Sequence, residues 1–148
     1  MMMQYSKRIS LSLCLALLVV AAACKAKSAN DTAGTSGGTT VRVTDIALGR
    51  SIGGDKAIAD KTDKFKPNDT IYASVATDGS SPNATLRAKW TFEDGQVVDE
   101  SKHAIAPGTG ERTEFHISKP DGWPVGKYKV EVFLNDALSD SKTFEVSR

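Results

Sequence analysis

His103 and His116 are the only imidazoles in the chain, and Cys14 and Cys24 are the only thiols. A protein zinc site draws three or four ligands from such groups. Cys14 lies inside an apolar leader and Cys24 directly behind it, so the rest of the chain has no thiolate to offer. The two histidines therefore read as surface residues, and no metal or other cofactor is expected. Acid/base work would need convergent carboxylates. The acidic pairs here are sequence neighbours, Glu93/Asp94 and Asp99/Glu100, and neighbours on a strand point to opposite faces. Serines are frequent, but none stands in the turn context that would expose a nucleophile beside a base and an orienter. "GRSIGGDK" (Gly49–Lys56) has the glycines and lysine of a phosphate loop. That loop needs Ser or Thr after the lysine and a helix behind it. Here Asp55 precedes Lys56 and Ala57 follows, and an acidic side chain would repel phosphate. A flexible loop is expected there, and no catalytic site anywhere.

Two groups could instead bind. Trp123 sits in "KPDGWPVGKY", a loop stiffened by Pro120 and Pro124 and relaxed by Gly122 and Gly126. Its indole reads as a cap on the end of a core, with a partner contact as the competing role. Arg87 and Lys89 share one outward face, and Lys127, Lys129 and Glu131 share another with Phe133. If those strands are neighbours, they form a mildly basic patch.

Strands must position these residues. "TVRVTDIAL", "DTIYASVAT", "ATLRAKWTF", "QVVDESKHAI", "RTEFHIS", "KYKVEVFL" and "SKTFEV" follow one another with turn signals between them. Most alternate apolar with polar residues: Ile71, Ala73 and Val75; Leu86, Ala88 and Trp90; Tyr128, Val130 and Val132. An antiparallel sheet with one face on a core and one in water has this period, and two such sheets face to face make a sandwich. "QVVDESKHAI" is more polar, as an edge strand is. Asp94-Gly95 predicts a two-residue hairpin turn, and Asn135-Asp136 a second turn of less defined geometry. The nearest approach to a helix, Lys56–Lys64, is short and poorly patterned.

The chain has 148 residues, 40% of them hydrophobic and 25% charged, ordinary values for a globular protein. Its first segment reads as a targeting signal. Lys7 and Arg8 precede "ISLSLCLALLVVAAA", which at about 15 residues falls short of the roughly 20 that span a bilayer and suits a secretory leader. The 19 basic side chains include Lys7 and Arg8, so 17 remain against 18 acidic ones once the leader is removed. A nearly neutral protein has no field to draw it to nucleic acid. The small residues Ala21, Ala22 and Ala23 precede Cys24, and this arrangement resembles the lipobox of bacterial lipoproteins. The resemblance implies cleavage after Ala23 and acylation of Cys24. Ala21 stands where that family prefers Leu. Several acyl chains hold firmly where one does not, since each buried methylene contributes about 0.8 kcal/mol. "KAKSANDTAGTSGGTT" (Lys25–Thr40) is small and polar, a tether with a reach on the order of 20 Å. By the family's sorting rule, Lys25 after the cysteine implies the outer membrane, facing the periplasm.

The expected organisation is thus a signal peptide over 1–23, a lipidated cysteine and linker over 24–40, and an all-β domain over 41–148. About seven strands, with Trp90 on the third and Gly126-Lys127-Tyr128 opening the sixth, resemble an immunoglobulin-like antiparallel β-sandwich. Gly126-Lys127-Tyr128 resembles its tyrosine corner, which implies that the Tyr128 hydroxyl bonds back to upstream backbone. The two bridging cysteines of antibody domains are missing, and apolar residues such as Ala73 and Val130 would fill that layer. The blocks "FKPNDTIY", "KWTFEDGQ" and "FHISKPDGWP" are also similar to uncharacterised envelope lipoproteins of Gram-negative bacteria. The function expected is a binding module without catalysis, held to the membrane by its anchor and engaging a protein partner. A carrier of a small ligand or glycan, and an enzyme accessory or inhibitor domain, are the alternatives. Oligomeric state is left open.

Overall fold

The computed structural model describes residues 40–106, 108 and 110–148. The expected leader, the cleavage site at Ala23, Cys24 and the tether up to residue 39 lie outside the described residues. Among the described residues there is no helix, only strands, turns and irregular connections. Its elements are β1 (Arg42–Gly49), β2 (Lys64–Phe65), β3 (Ile71–Asp78), β4 (Ala84–Phe92), β5 (Gln96–Ile105), β6 (Glu111–Ile117), β7 (Gly126–Leu134) and β8 (Ala137–Val146). One sheet has the order β1-β3-β6 and the other β2-β8-β7-β4-β5. Every pairing is antiparallel except β2 with β8. This is an immunoglobulin-like sandwich, in which the chain crosses between sheets after β1, β2, β3, β5 and β6.

The alternation decides the core. Ile46 and Leu48 of β1, Ile71, Ala73 and Val75 of β3, and Phe115 and Ile117 of β6 face inward from the smaller sheet. Leu86, Ala88 and Trp90 of β4, with Val130 and Val132 of β7, face them from the larger. Trp90 is fully buried, as are Ala73 and Val130. An aromatic chain runs through the larger sheet. Phe144 meets Trp90 and Phe65 edge-on at 5.9 and 5.4 Å, and stacks on Tyr128 at 5.3 Å. Offset and edge-on geometries suit the ring quadrupoles. Trp90 Nε1 is buried without a partner. The burial of so large a ring offsets that cost, on the order of 1–3 kcal/mol.

Three local expectations change. An eighth strand appears, because Lys64 and Phe65 pair with Glu145 and Val146. Two residues carry no period, so nothing in the sequence pattern marks β2. Phe65 is nonetheless one of the most buried side chains. The β4–β5 connection is a three-residue loop, since Phe92 pairs with Gln96. Positive φ falls on Glu93 and Gly95 and not on Asp94, so it is not the expected two-residue turn. At β7–β8, by contrast, Asn135 and Asp136 both have positive φ and Leu134 pairs with Ala137. That is the mirror-image turn whose twist matches paired strands.

The Gly49–Lys56 stretch is a tied excursion rather than a loose loop. Ile52 bridges Ile58, and Gly49 bridges Lys61. Arg50 staples it to the body of the domain. Its guanidinium bonds Asp60 at 3.1 Å, Asp69 at 3.1 Å and the Lys64 carbonyl at 2.9 Å. These carboxylates, Asp60 first, hold Arg50 still more firmly in its charged form. No helix follows, as the phosphate-loop pattern would require.

Candidate functional site

The candidate chemical groups are not brought together. His103 lies on β5 and packs against Phe115 with ring centroids 4.9 Å apart. His116 lies on β6, exposed, with Nδ1 2.6 Å from Glu114 Oε1 and its ring beside Tyr72. Asp99 pairs in register with buried Trp90, and Glu100 with Lys89, so this acidic pair divides between faces. Glu93 serves the backbone, since its carboxylate accepts a hydrogen bond from the Lys127 amide at 3.0 Å. Among the described residues, no group of three or more His, Cys, Asp or Glu could hold a metal ion.

The expected mildly basic patch has its strands side by side, and acids thin its charge. β4 and β7 are neighbours, with Arg87 opposite Phe133 and Lys89 opposite Glu131. The Arg87 guanidinium lies 3.8 Å from the centre of the Phe133 ring, a cation–π contact. It also reaches Glu100 at 3.3 Å and Asp136 at 3.6 Å. Lys129 pairs with Glu131 at 2.8 Å. Acids interleave the bases, so this face is an ion-paired solvated surface.

The corner before β7 is tied by hydrogen bonds from both of its aromatic side chains. The Tyr128 hydroxyl donates to the Pro124 carbonyl at 2.8 Å, the bond expected of a tyrosine corner. Trp123 is anchored twice on the loop before β3. Its amide donates to the Pro67 carbonyl at 2.7 Å and its Nε1 to the Asp69 carbonyl at 3.1 Å. The indole meets Tyr128 edge-on at 6.1 Å and is only 7% exposed. Gly126 is required by close approach, because a Cβ there would collide with Glu93 Oε1 and lie 2.7 Å from Phe92 Cε2. Burial and the neighbouring Glu93 charge raise the Tyr128 pKa above that of a free tyrosine.

What remains accessible is a groove between this corner and the start of β5. It holds about 330 Å³, and Val97, Val98, Lys119 and Pro124 flank it above Trp123 and Tyr128. Trp123 also borders a second, smaller groove with Val98 and His116, of about 190 Å³. Val97 is 50% exposed, one of three large apolar side chains so placed among the described residues. β5 ends the five-stranded sheet, and none of the described strands pairs with its outer edge. Sequence reasoning singles out Trp123 and misses Val97. The Val97-Val98 doublet in an otherwise polar edge strand is the available signal.

No family model matches this chain, and no curated protein matches it. Several solved structures share its shape. An immunoglobulin-like protein from Pseudomonas aeruginosa aligns over 74% of this chain and 98% of its own, at 19% identity and a TM-score of 0.48. A CARDB domain from Pyrococcus furiosus, solved with di-metal ions, aligns over 74% and 92%, at 14% identity and a TM-score of 0.43. An alkylpurine DNA glycosylase from Pseudomonas fluorescens aligns over 76% of this chain, which spans 32% of that protein, at 15% identity and a TM-score of 0.47. The activities of these proteins are their own.

Proposed function

We propose that the protein is a lipid-anchored cell-envelope interaction module, without catalysis, that engages a protein partner. Cys24 carries the anchor after cleavage behind Ala23, and the domain faces the periplasm from the outer membrane. The observation that carries the reading is the groove beside β5: an exposed valine, a buried aromatic floor and a free strand edge in one place. A free edge offers backbone hydrogen bonds to an extended segment, and adjoining apolar recesses select its side chains. A glycan carrier is disfavoured, because Trp123 and Tyr128 are too buried to offer a stacking face.

The test joins two measurements on the full chain in bacterial cells. Cys24→Ala is expected to move the protein from the membrane to the soluble fraction; tight membrane retention would sink the anchor. A photocrosslinking residue at Val97 is expected to trap one saturable protein adduct that the same residue at Leu138, also exposed, does not trap. Equal labelling from both positions would remove the groove from consideration.

A further inference from the structure

We propose that the β5 edge pairs antiparallel with β5 of a second copy of this chain, on a two-fold axis through Ser101. The carrying observation is the order of charge along the edge strand. Asp99-Glu100 lies on one side of Ser101 and Lys102-His103 on the other. β5 is the longest strand left open on one side among the described sheet edges: it has ten residues, against eight in β1, seven in β6 and two in β2.

Geometry restricts the register. Extending a sheet through an axis perpendicular to it keeps outward side chains outward, so paired residues must share a face. On β5, Asp99, Ser101 and His103 lie opposite core-facing Trp90, Ala88 and Leu86, while Glu100 and Lys102 lie opposite outward Lys89 and Arg87. Residues of one face therefore pair only when the axis passes through a residue. An axis at Glu100 sets glutamate against glutamate, and an axis at Lys102 sets lysine against lysine. Like charges directly opposite are destabilising. An axis at Ser101 sets Glu100 against Lys102 and Asp99 against His103, on both sides at once. Every charged side chain of the segment then meets its opposite or a histidine.

The same pattern argues against simple edge protection. Charge guards an edge by repelling a second edge; this edge changes sign at its centre and repels only the wrong registers. Val98 is the extra residue of a bulge, because Asp99 pairs with Trp90 and Val97 with Thr91. The bulge ends the regular match, which confines the pairing to Asp99–His103 and leaves Val97 and its groove outside it. The association is independent of the anchor, and it leaves to a partner in that groove only the β5 edge from Gln96 to Val98.

Ser101→Cys tests the axis directly. Residues facing each other across antiparallel strands have Cα atoms about 4.5–5.5 Å apart, within the range of about 4.4–6.8 Å that a disulfide accepts. The full chain would carry Cys14→Ser and Cys24→Ser, so that position 101 holds its only thiol, and would be treated with a mild oxidant. A reducible homodimer is expected as the main product. Lys102→Glu sets glutamates against each other on the exposed face and is expected to lower the dimer yield at least about fivefold. Adding Glu100→Lys restores opposite charges and is expected to bring the yield back. A monomer after oxidation would overturn the proposal. So would undiminished crosslinking in the Lys102→Glu chain, or an equal yield from Asp94→Cys at the exposed hairpin tip, which would mark random collision.

Discussion

The corner around Tyr128 and the free edge of β5 border the same groove, yet they are held by different forces. In the corner, the groups that fix the loop are answered inside the chain. The Trp123 Nε1 and amide, the Tyr128 hydroxyl and the Lys127 amide all have partners within 3.1 Å. Along β5 the hydrogen-bonding groups of one edge face outward with no described strand beside them, and Val97 stands half exposed. A buried residue is fixed by what it would lose on moving. An edge residue keeps the capacity to bind because the fold has not used it. The contrast separates a wall that shapes the groove from a rim that can make contacts.

Trp123→Ala is the strongest attack on that separation. Removing a buried indole is expected to cost about 3–5 kcal/mol and to free the Asp69 carbonyl that accepts from its Nε1, measured by urea unfolding. A loss below about 1 kcal/mol would make Trp123 a rim residue and return it to the role of contact. Tyr128→Phe removes one hydrogen bond and keeps the ring, so about 0.5–1.5 kcal/mol is expected. It also has a signature in pH. The folded-state pKa of Tyr128 is raised, so its contribution is complete below the unfolded value near 10 and is lost as pH rises through the folded value. The native chain is therefore expected to lose stability above about pH 10, with part of that slope absent in Tyr128→Phe. An unchanged slope would mean that other groups govern the alkaline limb. Val97→Lys is the mildest change. On an exposed edge it is expected to shift stability by less than about 0.5 kcal/mol while abolishing capture by a photocrosslinking residue at Lys119, on the same groove. A larger loss of stability would place Val97 with the wall.

Much of the corner is legible as sequence. Gly126-Lys127-Tyr128 after Pro124 points to a hydroxyl reaching back over a short loop, because that bond spans only four residues. Trp123 is harder to assign. Its partners, Pro67 and Asp69, lie more than fifty positions upstream, and no local pattern separates a cap from a contact residue. Local chemistry suffices to reject the Gly49–Lys56 segment as a phosphate loop, but its tie through Arg50 to Asp60 and Asp69 depends on a fold-back that glycine content does not encode. The charge of the β4–β7 face is only partly local. Glu131 stands two residues from Lys129, its partner, whereas Glu100 and Asp136, which meet Arg87, are brought there by strand pairing and by the β7–β8 turn.

The amino-acid sequence by itself determined seven of the eight strands and the inward set of Ile71, Val75, Trp90 and Val130, and its resemblance to a tyrosine corner carried the Tyr128 bond. Each rests on a period of two or on a bond a few residues long, and both are local properties of the chain. Beyond the edge position of β5, which its polar residues already marked, the tertiary structure alone decided that Phe65 forms a strand, that Trp123 is a wall and that Val97 is a rim. These follow from which strand lies beside which, and strand order is set by long-range packing that no short window of sequence contains.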